Sequence, residues 1–403
     1  MPARTPAHRS TDRSTALPAA PFFSTPEQRV ALARERFFED GVRPSGLVPE
    51  TVIQSWTRCI GARREPGERL SFDPITKARI ASTLARNRQL LEAAKEDLSQ
   101  LDAALAGTRC KAMLTSHDGV IVHATPTAPG DGGLMPIVAR VGVDIGEATI
   151  GTGAPGVAAR TGEVCMVHGA EHFFTGISVM YCAAAPIRDT RGDIAAVLDL
   201  SSEAEMFRFD AASMVRLYAT GIENRLLEAQ SREHVLLRFQ ASPTLLATPL
   251  EGLAAVAGDG RVAWINGSGA SLLGCPRLLG WDAYCETLFG LDIEALLVLA
   301  HGGRPLAHRL PNGLVLWLQA RLPLRGSERT LEPVVEATPT IADEPDVDPA
   351  SPTRLEDANR SLIERTLAEC KGNVSRAARR LGVSRGLLYR RLAEWGHGEA
   401  ETP

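Results

Sequence analysis

Lysine is scarce in this chain. Among 403 residues there are four, Lys77, Lys95, Lys111 and Lys371, and none follows a glycine. A Walker A loop needs a Gly-Lys pair to bring the lysine onto the nucleotide phosphates, so these residues contain no P-loop. The glycine-rich GTGAPG beginning at Gly151 is therefore not a phosphate loop. Paired cysteines are lacking too. The seven (Cys59, Cys110, Cys165, Cys182, Cys275, Cys285, Cys370) are scattered, odd in number and never spaced CxxC, so neither a zinc site nor a dithiol motif is signalled. Reduced, buried thiols are expected. No apolar run reaches the ~18 residues of a membrane span. Residues 1–25 are rich in Arg, Ser, Pro and Ala without an apolar core; they mimic a transit peptide, but a disordered tail is the expectation. The protein reads as soluble and cytoplasmic, with no membrane partner and no cofactor.

What is there is uneven. The formal charge of the whole is −4, yet Lys371 to Gly396 holds seven Lys/Arg and a single acid, Glu394. An apolar stripe (Leu355, Leu362, Ile363, Thr366, Leu367) marks one helix ending near Cys370. Gly372 suits its C-cap and Asn373 the N-cap of a short helix from Val374 to Leu381 that buries Val374, Ala377, Ala378 and Leu381. Gly382 allows a tight turn, and Ser384 caps a third helix that buries Leu388 and Leu392 and exposes Arg385, Tyr389, Arg390 and Arg391. A short helix, a glycine turn and a basic helix make a helix-turn-helix. An Arg near the start of the last helix reaches a guanine edge, and those further along meet phosphates.

GNVSRAARRLGVSRGLLYRRLAEWG resembles the DNA-binding domain of Fis, shared with sigma-54-dependent activators. The resemblance implies base contacts from Ser384 and Arg385, and backbone-facing roles for Asn373, Ser375, Leu387, Arg390 and Arg391. Ser384 stands where Fis commonly has Asn, and Leu387 where it has Thr. Such proteins bind duplex DNA as dimers, so a homodimer on an inverted repeat is implied. Residues 327–353, rich in Pro and acid, read as a disordered linker.

The middle of the chain has a mixed α/β texture. Turns at Asp118-Gly119 and at Asp189–Gly192 each sit between two strand-like runs. SWTRC (Ser55–Cys59), IGEATIGTGAPGVAARTGE (Ile145–Glu163), EHFF (Glu171–Phe174) and CAAAPIRDTRGDIAAVLDLS (Cys182–Ser201) together resemble the GAF domain of acetoin-catabolism-type activators, over about Pro26 to Gln230. One departure is Gly153, where that family commonly has Asn. GAF domains enclose a small molecule between a sheet and covering loops. The resemblance puts His168, Glu171, His172 and Cys182 near the pocket, as lining for an organic effector, as a structural hydrogen-bond network, or as metal or haem ligands.

Helix is expected from Lys77 to Leu105 and from Asp210 to about Phe239. The second carries a seam (Val215, Tyr218, Ile222, Leu226, Ala229) that either packs within one protomer or, the favoured reading, pairs two. Strand, Asp-Gly turn, strand and helix over Glu251–Gly274, and two strands around Asn312-Gly313, resemble a PAS domain that serves as a dimerising spacer or as a second ligand site.

The expected fold is multidomain α+β: GAF-like and PAS-like sensor domains joined by helical linkers, with a C-terminal all-α Fis-type helix-turn-helix. The expected segments are a tail (1–25), helical segment (26–109), GAF-like domain (110–205), coupling helix (206–240), PAS-like domain (241–326), linker (327–353) and DNA-binding domain (354–397). The AAA+ ATPase and GAFTGA loop of the resembled activators are missing. A non-enzymatic, effector-sensing transcriptional regulator follows, with RNA polymerase or a related activator as a further partner. One alternative is an accessory subunit that hetero-oligomerises with an ATPase-bearing activator. Another is a redox or catalytic GAF protein using Cys165 or Cys182.

Overall fold

A computed structural model describes residues 25–127, 133–275, 283–322, 365–368, 370, 373–381 and 383, with only the backbone of Ser375. The chain divides into two compact units at Gln230, with Ala247–Leu250 counted in the first.

The first unit is built on a five-stranded antiparallel sheet: β1 (Cys110–Ser116), β2 (Ile121–Ala124), β3 (Cys165–His168), β4 (Met180–Arg188) and β5 (Ile194–Glu203), in the order β2-β1-β5-β4-β3. Both expected turns are present, with Gly119 and Gly192 at positive φ. Alternation along the strands assigns two cores. Ala112 and Leu114, Ala183, Ala185 and Ile187, and Ala196, Leu198 and Leu200 point to one face. That face is covered by α4 (Arg88–Leu105) and α8 (Ala211–Gln230). Met113, Cys182, Ala184 and Val197 point to the other. The helices in or against that second core are α1 (Pro26–Arg34), α2 (Glu50–Gly61), α5 (Met135–Val138), α6 (Glu147–Ile150) and α7 (Ala154–Thr161).

Three helical expectations change. The stripe from Lys77 onwards is two helices, α3 (Lys77–Arg86) and α4, because Asn87 leaves helical geometry and its amide donates to the Thr83 carbonyl at 2.9 Å. The coupling helix stops at Gln230, not near Phe239. Residues Val235–Gln240 are instead strand β6, because Val235, Leu237 and Phe239 alternate inward with period two. The seam Val215, Ile222 and Leu226 is spent inside the protomer, buried in the same core as Leu98, Leu101 and Leu105 of α4. It is therefore not free to pair two copies.

The second unit has its own antiparallel sheet: β6, β7 (Gly252–Val256), β8 (Val262–Ile265), β9 (Leu306–Arg309) and β10 (Val315–Arg321), ordered β8-β7-β6-β10-β9. The turns before β8 and β10 carry Gly260 and Gly313 at positive φ. Helices α9 (Gly267–Leu273), α10 (Cys285–Phe289) and α11 (Ile293–Gly302) contribute Ala270, Phe289 and Leu296 to its core. Asn266 caps α9 through Gly269 N–H at 2.8 Å.

Of the C-terminal region, 365–368 are helical and α12 runs Val374–Leu381, as the caps imply. No helix among the described residues is long and apolar enough to cross a membrane.

Candidate functional site

Beneath the second face of the first sheet lies a cavity of about 30 Å³. Apolar side chains form most of its wall, among them Met113, Ile145, Ile150, Ile177 and Met180; four polar ones join them, His172, Cys182, Asp199 and Ser201. Cys182 comes from β4, and Asp199 and Ser201 are alternate residues of β5, so the pleat turns all three the same way.

The polar groups form a chain with one assignable proton order. His172 Nδ1 lies 2.9 Å from the Gly169 carbonyl, which only accepts, so Nδ1 carries the proton and Nε2 is an acceptor. Burial pushes this imidazole down to about 4, and the ring is neutral. Ser201 Oγ lies 2.6 Å from Asp199 Oδ2 and 3.1 Å from Cys182 Sγ. Its single proton goes to the carboxylate, the stronger acceptor. The Cys182 thiol then donates to His172 Nε2 at 3.6 Å. Burial, and secondly the nearby Asp199, hold that thiol well above its ordinary value, which suits a donor and not a nucleophile. One atom is left over. Asp199 Oδ1 is buried with no hydrogen-bond partner among the described residues. Burial raises this carboxyl to about 7, against the opposing Ser201 hydrogen bond.

The separated sequence motifs meet on the same side of the sheet, in the helices and loops of the second core. Trp56 is fully buried and donates Nε1–H to the Glu171 carbonyl at 2.8 Å. Ser55 bonds Thr152 at 2.7 Å and also donates to Glu147. Arg58 grips the same Glu147 with two nitrogens, at 3.0 and 2.7 Å. Gly156 is required there, since a Cβ would stand 2.8 Å from the Glu147 nitrogen. Arg34 of α1 donates to the carbonyls of Ala170, His172 and Phe173 at 3.0, 2.7 and 3.2 Å, and its guanidinium lies 4.8 Å from the Phe38 ring centre. The loop carrying His172 is thus clamped from α1 and α2.

Of the four expected pocket residues, His172 and Cys182 line the cavity, whereas His168 and Glu171 do not. Glu171 Oε2 accepts from the His168 backbone N–H at 2.9 Å, shaping the turn that presents His172. Burial raises Glu171 to about 7. Among the described residues no cluster of three or more His, Cys, Asp or Glu is disposed to hold a metal. Gly153 lines the cavity, so the missing side chain at that departure leaves the wall bare.

Sequence reasoning missed Asp199. Its signal was an acid at an alternate position of an otherwise apolar strand, AAVLDLS. A second, larger cleft of about 610 Å³ includes Arg58, Arg64, Asp118, Asp144, Glu147 and Arg160 in its lining. Three cations face three acids there, and Arg58 and Arg64 are already paired with Glu147 and Glu68. The smaller cavity, lined by a buried carboxyl with one oxygen unpaired among the described residues, is taken as the candidate site.

In the C-terminal region, Asn373 Oδ1 accepts from the Arg376 N–H at 3.0 Å and caps α12 as expected. Ala377, Ala378 and Leu381 are buried together with Cys370. Ser384, Arg385, Leu387, Tyr389, Arg390 and Arg391 lie outside the described residues, as does the side chain of Ser375.

Comparison with known proteins agrees with both ends of the chain. The family of bacterial regulatory proteins of the Fis type matches residues 354–395. The MimR N-terminal domain matches residues 25–218. The acetoin catabolism regulatory protein of Cupriavidus necator is 29% identical over 261 residues, 62% of this chain and 39% of that protein. The acetoin dehydrogenase operon transcriptional activator AcoR of Bacillus subtilis is 28% identical over 204 residues, 50% of this chain and 33% of its own length. The chain thus spans between a third and two-fifths of these relatives. A crystal structure of the E. coli DhaR(N)–DhaL complex aligns with a TM-score of 0.41 and 16% identity, over 68% of this chain and all of that one. Residues 354–395 thus match the Fis-type helix-turn-helix, and the N-terminal region is homologous to those of acetoin-catabolism-type and MimR transcriptional activators.

Proposed function

We propose that this is a cytoplasmic, sequence-specific DNA-binding regulator that senses a small effector in the cavity of its first unit and has no ATPase activity of its own. The observation that carries the reading is one chain joining a small cavity, lined by a buried carboxyl, to a Fis-type helix-turn-helix. The cavity, about 30 Å³, is walled mainly by apolar side chains with four polar residues among them, the lining usual for a small-molecule site. Bound effector shifts the dimer between states only through differential affinity for them. Because the α8 seam lies in the protomer core, the homodimer is formed by other surfaces. Ser384 and Arg385 read bases, while Asn373, Ser375, Leu387, Arg390 and Arg391 face the backbone, with Tyr389 exposed on the same DNA-binding helix. The relatives' names supply an expectation of operon control for a catabolic pathway.

The test is binding of the full chain to DNA flanking its own gene, against a scrambled duplex, across a salt series. Selective binding that Arg385→Ala removes, with a discrimination loss of roughly 1–3 kcal/mol, supports a self-sufficient regulator. Arg390→Ala and Arg391→Ala should weaken both duplexes alike and lower the salt slope. Binding that never exceeds the scrambled duplex favours an accessory subunit of an ATPase-bearing activator.

A further inference from the structure

We infer that α1 is a latch on the loop that carries His172, with Arg34 as its positioning residue: helix and loop dock and release as one unit. The latch stands on its own geometry; its use as an output of the sensor rests on the cavity being the effector site.

The loop from Gly169 to Phe174 lies between β3 and β4, outside sheet pairing, so its backbone polar groups need other partners. Four consecutive carbonyls, Ala170 to Phe173, are met by two side chains from much earlier in the chain. Arg34 Nη1 donates to Ala170 and His172 at 3.0 and 2.7 Å, and Nη2 to Phe173 at 3.2 Å. Trp56 Nε1 donates to Glu171 at 2.8 Å.

The Arg34 guanidinium is half-buried, and its partners among the described residues are neutral: three carbonyls and the faces of Phe38 and Trp56, 4.8 and 5.7 Å from the ring centres. Burial pulls its pKa down, as expected of a cation held away from water. Such a charge is tolerated only while its hydrogen bonds hold. The guanidinium fork is planar and rigid, so it meets three carbonyls only when they converge. Displacing one of them strands a donor and an acceptor together.

α1 has little else to hold it. Its nine residues fall short of the ~12–15 that an isolated helix needs, and it buries Val30 and Ala33. A π-helical turn, Glu35–Glu39, follows directly and sets Phe38 against Trp56 and Phe173, with ring centres 5.0 and 5.6 Å apart. On the loop side, His172 Nδ1 holds the Gly169 carbonyl at 2.9 Å while the ring lines the cavity. A shift of that ring disturbs the loop whose carbonyls Arg34 gathers, and α1 receives the change.

The test is native-state hydrogen exchange of the full chain across a low urea series. In the unaltered protein the amides from Val30 to Arg34 and the Trp56 indole N–H should show equal protection and equal urea dependence, below those of the β5 amides. Arg34→Lys keeps the charge and loses the fork. It should quicken exchange at both places roughly tenfold, with β5 and α8 unchanged. His172→Ala loosens the loop from its own side and should quicken the α1 amides by a similar factor. Faster exchange in α1 alone with Arg34→Lys, or a loosened indole beside unchanged α1 amides with His172→Ala, overturns the latch. Should either variant fail to fold, the unaltered protein still decides, because unequal protection or unequal urea dependence at the two places overturns it. No effector or DNA enters the experiment, so its failure leaves the cavity reading standing, and failure of the cavity reading leaves the latch standing.

Discussion

The two sheets of this protein share a plan and differ in what they enclose. In each, the first and last strands in sequence pair side by side, β1 with β5 and β6 with β10. In the second unit the inward side chains are apolar, and Phe239 sits at the centre of them. Gly252 and Gly269 crowd its ring, so that a Cβ on either would come within 2.4 and 2.8 Å of it. Phe289 meets it edge-on with ring centres 5.0 Å apart. In the first unit the corresponding interior carries an acid, a serine, a thiol and an imidazole around unfilled space. A strand interior filled by an aromatic ring is built for stability. One with a buried carboxyl and a gap retains a site at a cost to stability, as functional interiors commonly do.

That contrast is open to attack. The largest expected effect is Phe239→Ala, which should cost the second unit about 3–5 kcal/mol in chemical denaturation. A loss under about 1 kcal/mol would mean that Phe239 does not fill this core, and the comparison would collapse.

Next is pH. Asp199 and Glu171 both hold protons more tightly folded than unfolded, each near 7. The folded state therefore binds more protons between the unfolded value and pH 7, and stability falls as pH rises through that window. From pH 5 to 8 the first unit should lose about 2 kcal/mol for each group, and Asp199→Asn should make that slope shallower. The apolar cluster around Phe239 holds no carboxyl and predicts no such contribution of its own. A slope unchanged by Asp199→Asn would show that burial does not hold this carboxyl in its raised range.

The smallest effect sharpens the comparison from outside both sheets. Asn373→Ala removes the α12 cap, worth about 1 kcal/mol. Hydrogen exchange at the Ala377 and Ala378 amides should quicken about fivefold, with weaker DNA binding and no change in either sheet. Unchanged exchange would show that the cap is dispensable once Ala377, Ala378 and Leu381 are packed.

Local chemistry decided much in advance. Asp-Gly and Asn-Gly pairs fixed the turns, because positive φ is cheap for glycine. Asn373 and the glycines around it fixed α12, because a cap is a contact between near neighbours. The basic C-terminus was legible as a DNA-binding unit from spacing and charge alone. The sequence could not divide helix from strand after Gln230, since Val235–Gln240 is apolar enough for either and only pairing with β7 and β10 makes it a strand. Nor could it say which partner the α8 seam would take; the sheet and α4 claimed it. Asp199 is the sharpest case. Written in the sequence it is one acid in an apolar strand. Its burial, and its place beside His172 and Cys182, arise from residues far apart in the chain being folded against one another. A site of this kind is a sum of long-range contacts, and only the tertiary structure adds them up.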